Sequence, residues 1–371
     1  MSALLEKVEE LIDSYNINLV NIIFLSFTVV IVIFGSLINL IEDRLPNSLR
    51  QSFRYGKHSH KGANDALVSR LELPKGWFSH FYVFAFSWSM LALFLLLKGL
   101  IMHAAAPEYV LRFLDFMAGG AENRKVQVNS TYALMATVLL TLQCARRFYE
   151  TNFVQIFSKK SKINLSHYFV GYIHYFGAIL ALLTNTEGFV RGELLLSVDT
   201  EPVSDFEVEE IIIKMIFSLS DSLPSGFAFN KINLLHYMCI FLFHFAWSQQ
   251  YKSNMILVNL RKDAKTGKVA TESHLLPQGG FFNLISSPHM FFEVVMYVVL
   301  WGLLAQSTTW RFVVIWVISN QVCIGYCLSS NLVMNFYFFL QLMNALLTHK
   351  WYNQNFKNYP KKRKAFIPFL L

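Results

Sequence analysis

The chain has 371 residues, of which 54% are hydrophobic and 16% aromatic, while only 15% are charged. Soluble proteins carry about 25% charged residues, so this composition excludes a disordered chain and argues against a soluble one. The net charge of +8 is typical of basic loops on one side of a membrane and does not indicate nucleic-acid binding. The four cysteines show no zinc-type spacing, so no metal site is expected.

Seven apolar stretches predict an all-α, polytopic membrane protein with seven transmembrane helices, and we treat residues 1–371 as one membrane-embedded domain. A spanning helix needs about 20 apolar residues. The first six stretches satisfy this length, some only barely, and the seventh is about twice as long as one span. The stretches are 17–41, 77–102, 130–145, 165–184, 232–248, 290–306 and 309–347.

The connecting segments alternate in charge along the chain. Segments 42–76, 146–162 and 250–275 are basic, as is the C-terminal tail, whereas 185–230 is acidic. Cytoplasmic loops of membrane proteins are enriched in Lys and Arg. The pattern therefore predicts a cytosolic C-terminal tail, an N-terminus on the opposite side, and an acidic lumenal insertion at 185–230.

Polar residues at the predicted cytosolic ends of the spans are the candidates for chemistry, because no motif of a soluble enzyme is present. Glu293 follows the start of the sixth stretch, and His349 and Tyr352 share one helix face. Arg147 and Glu150 have the same spacing, and one alternative for them is an ordinary surface ion pair. Glu293 could instead be a carboxylate at the membrane interface, and His349 and Tyr352 could belong to an interfacial aromatic belt. From the residues alone we expect a cytosolic site for an anionic ligand beside a lipid-embedded pocket.

Several motifs along the chain have a recognisable pattern. They include YPKKRKAFIPFLL at 359–371, ALLTHKWY at 345–352, FSHFY at 78–82 and FRYGK at 53–57. In these segments the chain resembles the steroid 5-alpha-reductase family, and more specifically its polyprenol reductase branch. The tail motif marks the family, and the FSHFY segment marks the branch.

The resemblance implies an NADPH-dependent reductase with seven spans in the endoplasmic reticulum membrane. The implied substrate is a long-chain polyprenoid lipid whose α-isoprene double bond is saturated in the synthesis of dolichol for protein N-glycosylation. A polyprenal fits better than a polyprenol, because a conjugated carbonyl lets negative charge develop on oxygen, where a donor stabilises it.

Other functions remain open on the sequence. They are a 3-oxo-5α-steroid 4-dehydrogenase, a trans-2-enoyl-CoA reductase and, outside enzymes, a membrane transporter or receptor. Steroid-reducing branches place a tyrosine at one position of the third span, and no tyrosine occupies the matching position beside Cys144, which counts against a steroid. Polar residues at span ends and not at the midplane count against a transporter.

The resemblance also implies roles for individual residues. Glu72 aligns with an acidic residue that polarises or protonates the substrate, and His349 is expected to support the cofactor pocket or to relay a proton. Three positions depart from the pattern. Asparagine is usual at position 289, which is His289 here, other branches have an acidic residue in place of Asn254, and a basic residue is expected in place of Leu275. The implied cofactor-binding residues are Tyr55, Lys57, Arg147, Asn254, Arg261, His289, Glu293, Tyr352 and Arg363.

The length of the seventh stretch has one simple explanation. Removing residues 322–341 leaves a span of ordinary length and returns the basic tail to the cytosol. The segment begins with Val322, whose codon supplies GT, and ends with the Phe-rich sequence FYFFLQ. The codons for these last residues read as a pyrimidine-rich tract that closes in CAG, as at the end of an intron. The hypothesis is a retained intron in the last helix.

Overall fold

The computed structural model describes residues 7, 12, 14–53, 65–102, 104–158, 161–191, 233–263, 265–321 and 343–369. Most of this part of the chain is helical. The predicted segment 322–341 and residues 192–230 of the acidic insertion lie outside the described residues. The helices are α1 (Leu19–Ile41), α2 (Asn47–Phe53), α3 (Ala66–Arg70), α4 (Phe78–Met102), α5 (Glu108–Ala118), α6 (Ser130–Tyr149), α7 (Leu165–Leu183), α8 (Leu234–Asn259), α9 (Pro288–Leu303), α10 (Thr308–Gln321) and α11 (Met343–Asn355).

Three helical segments are long and apolar enough to cross a membrane: Leu19–Ile38, Lys75–Met102 and Leu165–Leu183. The apolar helix Pro288–Leu303 is shorter. The prediction of a helical, multi-pass membrane protein is therefore confirmed, with three of the seven predicted spans meeting both criteria among the described residues.

Asparagine caps set the starts of four of these helices. Asn18, Asn129 and Asn164 accept a hydrogen bond from a backbone N–H in the first turn of α1, α6 and α7. Asn233 and His236 form a reciprocal capping box at the start of α8. Such caps satisfy N–H groups that have no partner inside the helix.

The long helices pack into one bundle. α8 packs along α9, α4 packs between α6 and α7, and α10 packs against α1, α7 and α9. α9 also contacts α6, which closes the bundle. Large side chains including Trp310, Tyr297 and Phe243 are fully buried at its centre.

A short antiparallel sheet is the exception to the all-α prediction. β1 (Glu72–Pro74) pairs with β2 (Lys162–Asn164), with Glu72 opposite Asn164. The two strands immediately precede α4 and α7, so the sheet ties together the starts of these two helices.

An ion network closes the other end of the bundle, near the start of α6. Arg124 Nη1 donates to Asp115 Oδ1 at 2.6 Å, and its Nε donates to the Thr184 carbonyl at 3.0 Å. Arg191 bridges Asp115 and the exposed Glu108. These contacts hold α5 against the end of α7.

Candidate functional site

The C-terminal end of α6 buries two arginines and a glutamate together. Arg147 Nη1 donates to Glu150 Oε2 at 2.6 Å, and Arg146 Nε lies 3.4 Å from Glu150 Oε1. The glutamate is only 1% exposed. The surface ion pair that the sequence allowed is therefore excluded, because the pair lies inside the bundle.

Side chains from α8 join this group to α9. The side-chain oxygen of Gln250 accepts from the Arg146 guanidinium, and its amide donates to Glu293 Oε2 at 3.2 Å. One turn later, Asn254 Nδ2 donates to Glu150 Oε2 at 2.9 Å. We call the following six residues the arginine–glutamate cluster: Arg146, Arg147, Glu150, Gln250, Asn254 and Glu293.

Buried tyrosines border the arginine–glutamate cluster. Arg147 Nη2 donates to the Tyr82 hydroxyl at 2.9 Å, and the Tyr82 and Tyr175 rings are 5.6 Å apart. Tyr297 lies one turn after Glu293 on α9 and is fully buried. The site is thus charged on one side and aromatic on the other, as a charged ligand meeting an apolar one would require.

His289 contributes to the cluster through its backbone. Its carbonyl oxygen accepts from Gln250 Nε2 at 3.0 Å. The imidazole lies beside the Phe282 ring, with centroids 6.4 Å apart. The backbone of His289 therefore lies against the arginine–glutamate cluster, while its side chain lies beside Phe282.

The C-terminal tail builds a second polar group. Ser286 Oγ lies 2.8 Å from His349 Nδ1 and 2.5 Å from the Tyr359 hydroxyl, and that hydroxyl is 2.8 Å from the same histidine nitrogen. The Ser286 N–H donates to the Lys364 carbonyl at 2.9 Å, and the Lys364 N–H donates to the Leu284 carbonyl at 2.8 Å. The tail is therefore hydrogen-bonded to the loop before α9.

Arg363 and Tyr352 lie beside this trio. The Tyr352 and Tyr359 rings stack at 6.2 Å, and the Arg363 guanidinium lies 5.2 Å from the Tyr359 ring centroid. Nε and Nη1 of Arg363 are buried and, among the described residues, have no hydrogen-bond acceptor. Burial lowers the pKa of this arginine, and the two tyrosines oppose that shift. Two unused donors on a buried cation favour an anionic ligand.

We expect His349 to make stability depend on pH. Burial lowers its pKa from the usual value of 6.5, and the nearby charges of Arg363 and Lys364 act in the same direction, while the Lys364 carbonyl opposes them. Below pH 6.5 the unfolded chain therefore binds more protons at this histidine than the folded one. The free energy of unfolding should decrease as the pH is lowered through this range. Unfolding midpoints between pH 5 and 8 measure this slope. The variant H349N should flatten it, and equal slopes for both proteins would contradict the assignment.

Arg261 follows the end of α8. Its Nη1 donates to the Ile156 carbonyl at 2.5 Å, and its Nη2 lies 3.4 Å from His274 Nδ1. Burial lowers the Arg261 pKa, and Glu272 opposes this shift. The residue thus presents a cation at the same end of the bundle as the arginine–glutamate cluster.

Glu72 is the first residue of β1, in the short sheet that β1 forms with β2. Its Oε1 accepts from Gln51 Nε2 at 3.0 Å, and its Oε2 lies 3.3 Å from Lys162 Nζ. Gln51 also accepts from the Asp65 N–H at 2.7 Å. These contacts fix the carboxylate at the start of α4, whereas the hydrogen bonds of the arginine–glutamate cluster do not reach it among the described residues.

The predicted site residues fall into a few groups. Arg147, Asn254 and Glu293 lie in one cluster, while His349, Tyr352 and Arg363 lie around the docked tail. Tyr55 and Lys57 lie outside the described residues. The sequence prediction missed Tyr82, Arg146 and Gln250. The four-residue spacing of Gln250 and Asn254 was the available signal, since it places both on one helix face.

Comparison with known proteins gives consistent similarities. The family model described as 3-oxo-5-alpha-steroid 4-dehydrogenase matches residues 225–371. Polyprenal reductase of Drosophila melanogaster is 51% identical over 370 residues, covering 100% of this chain and 98% of that protein. Polyprenal reductase of Danio rerio is 29% identical, covering 96% of this chain and 99% of that protein. The chain therefore belongs to the steroid 5-alpha-reductase family, in its polyprenal reductase branch.

Proposed function

We propose that this chain is an NADPH-dependent polyprenal reductase that saturates the α-isoprene double bond during dolichol synthesis for protein N-glycosylation. The observation that carries the proposal is the full-length similarity to polyprenal reductases. The buried arginine–glutamate cluster beside an aromatic interior is consistent with it. The enzyme is an oxidoreductase acting on a carbon–carbon double bond.

The residues of the site fit a dinucleotide phosphate. Arg363 retains two buried donors without acceptors in the described part of the chain, and Arg147 and Arg261 add guanidinium groups at the same end. Arginine forks match phosphate oxygens in geometry and charge. NADPH, when bound, supplies a hydride. We assign its phosphates to Arg147, Arg261 and Arg363, together with Tyr55 and Lys57.

Other side chains orient the reacting groups in this proposal. Glu293 and Tyr352 hold the nicotinamide amide, with Asn254 and His289 completing the cofactor site. Glu72 polarises or protonates the substrate. His349 keeps two possible roles, either supporting the cofactor pocket through Ser286 and Tyr359 or relaying a proton.

The proposed topology has seven spans in the endoplasmic reticulum membrane, with the basic loops and the C-terminal tail in the cytosol. The enrichment of Lys and Arg in alternate loops supports it. The bilayer then provides the route for a long-chain polyprenoid into the apolar interior.

The proposal also covers two segments of the chain, 185–230 and 322–341. We assign residues 185–230 to an acidic lumenal insertion, on the charge pattern of the sequence. In this proposal the segment 322–341 is encoded by an intron that was retained in the gene model. Sequencing the transcript across this region tests the idea. A mature message that encodes the whole segment would disprove it.

A steroid substrate is the second candidate, because the matching family model is described as a 3-oxo-5-alpha-steroid 4-dehydrogenase. Membranes containing the protein should oxidise NADPH with polyprenal much faster than with testosterone or a trans-2-enoyl-CoA. Product analysis should find a saturated α-isoprene unit. Equal rates with testosterone would favour the second candidate, and no oxidation with any of the three would reject the enzyme.

A further inference from the structure

Three helices are joined by a chain of polar aromatic side chains inside the bundle. The Trp316 indole N–H on α10 donates to His174 Nδ1 on α7 at 3.1 Å. His174 Nε2 lies 2.8 Å from the Tyr297 hydroxyl on α9. Trp316 is 4% exposed and Tyr297 is 1% exposed. We call these three side chains the aromatic relay.

The first hydrogen bond determines the direction of the second. An indole N–H is a donor only, so His174 Nδ1 must carry no proton. A neutral imidazole then holds its proton on Nε2, which makes Nε2 the donor to the Tyr297 oxygen. The hydroxyl proton of Tyr297 is consequently directed away from His174.

No acceptor for this hydroxyl proton is found among the described residues, although the side chain is fully buried. Buried donors normally have a partner, so the unused donor indicates a ligand. Tyr297 stacks on Trp310 with rings 6.3 Å apart and 10° from parallel. It also interacts electrostatically with Glu293 and Tyr82, which places it beside the arginine–glutamate cluster.

We propose that Tyr297 is a catalytic residue that donates a hydrogen bond to the carbonyl oxygen of the unsaturated aldehyde. His174 and Trp316 are positioning residues, because they act only through Tyr297. The inference rests on the proposed function. Negative charge develops on the carbonyl oxygen when the β-carbon is reduced, and a fixed donor in a water-poor site stabilises that charge. The tyrosine keeps its proton throughout.

This role differs from that of Glu72. The two carboxylate oxygens of Glu72 already have partners, since Oε1 accepts from Gln51 Nε2 and Oε2 lies 3.3 Å from Lys162 Nζ. Tyr297 is a neutral donor held from behind by His174. The two residues can therefore be separated by mutation, since Tyr297 lies on α9 and Glu72 lies on β1.

Turnover of purified variants provides the first test. Y297F removes the donor and should lower kcat about 100- to 1,000-fold, as loss of an oxyanion donor does, with the KM for NADPH unchanged. W316F removes the indole donor to His174 Nδ1, so the imidazole can adopt the other neutral tautomer, in which Nε2 accepts a hydrogen bond from the Tyr297 hydroxyl. The hydroxyl is then less available to the substrate, and kcat should fall about tenfold, the effect of one hydrogen bond.

Trp310→Phe is the matched control. The Trp310 ring stacks on Tyr297, but its indole N–H has no partner among the described residues. Its change alters packing and leaves the aromatic relay intact, so kcat should stay within about twofold. If W310F and W316F lower kcat equally, packing and not proton direction explains the loss, and the positioning roles fail.

A second measurement is independent of turnover. Polyprenal carrying ¹³C at the aldehyde is bound with NADP⁺, and the C=O stretching frequency is recorded by infrared difference spectroscopy. The frequency should be lower in the wild type and W310F than in Y297F, because a hydrogen bond weakens the C=O bond. An equal frequency in wild type and Y297F, or no bound aldehyde, would overturn the inference. Absence of polyprenal turnover would instead reject the proposed function, and the frequency comparison would still decide the inference.

Discussion

Replacing Glu150 by alanine is expected to lower the free energy of unfolding by about 3–5 kcal/mol, because removing one partner of a buried ion pair leaves an uncompensated buried charge. Here one carboxylate faces two guanidinium groups, those of Arg146 and Arg147. It also accepts from Asn254. Chemical denaturation of the purified protein in detergent measures the change.

Two further variants separate the causes. Glu150→Gln preserves the side-chain size and one acceptor oxygen, but it removes the charge and turns an amide N–H group toward a guanidinium donor. Comparing it with Glu150→Ala separates these two losses from the loss of side-chain volume. Glu108→Ala removes a carboxylate that pairs with Arg112 and Arg191 on the surface, and the denaturation midpoint should hardly change, because exposed pairs contribute little. A Glu150→Ala protein as stable as the wild type would mean that the two arginines are hydrated and not buried.

Replacing Arg363 by alanine is expected to raise the dissociation constant for NADPH about 30-fold or more, because loss of a buried, charge-assisted partner costs 2–5 kcal/mol. The reason is that its Nε and Nη1 donors are buried and free of acceptors within the described residues. Fluorescence titration of the reduced nicotinamide measures the affinity directly, without turnover.

A neighbouring lysine supplies the control for this experiment. Lys362 precedes Arg363 in the same tail and is exposed, so K362A tests whether net positive charge alone attracts the cofactor. We expect at most a twofold change for K362A at physiological salt, because screening weakens exposed charges. Comparable losses in the two variants would argue against a specific phosphate contact at Arg363.

The helical architecture was largely predictable because membrane helices leave a strong local signal. Helices cover each of the seven predicted apolar stretches, at least in part, and Asn164 and Asn233 cap two of them. The β1–β2 sheet was not predictable. Each strand has three residues, which is too short to show an alternating pattern, and the pairing depends on how α4 and α7 pack.

The site was predictable only where motifs or helix spacing carried it. Arg147 and Glu293 were found from their positions at the ends of predicted spans and from the family pattern, and the structure places both in the arginine–glutamate cluster. Gln250 was missed because glutamine gives no charge signal, although it connects Arg146 to Glu293. The relay of Trp316, His174 and Tyr297 joins residues as much as 142 positions apart, and no periodicity in a single sequence links such positions.

The docked tail has a consequence for biosynthesis. Ser286 and Tyr359 are 73 residues apart in the chain, yet their hydroxyls meet in the pocket that contains His349. The arginine–glutamate cluster needs only residues up to Glu293, so it can form while the ribosome is still translating. The second half of the site can close only after residues 359–364 have been synthesised. A nascent or truncated chain that lacks residues 359–364 would therefore pack its early helices without the hydrogen bonds that join the tail to Ser286 and His349.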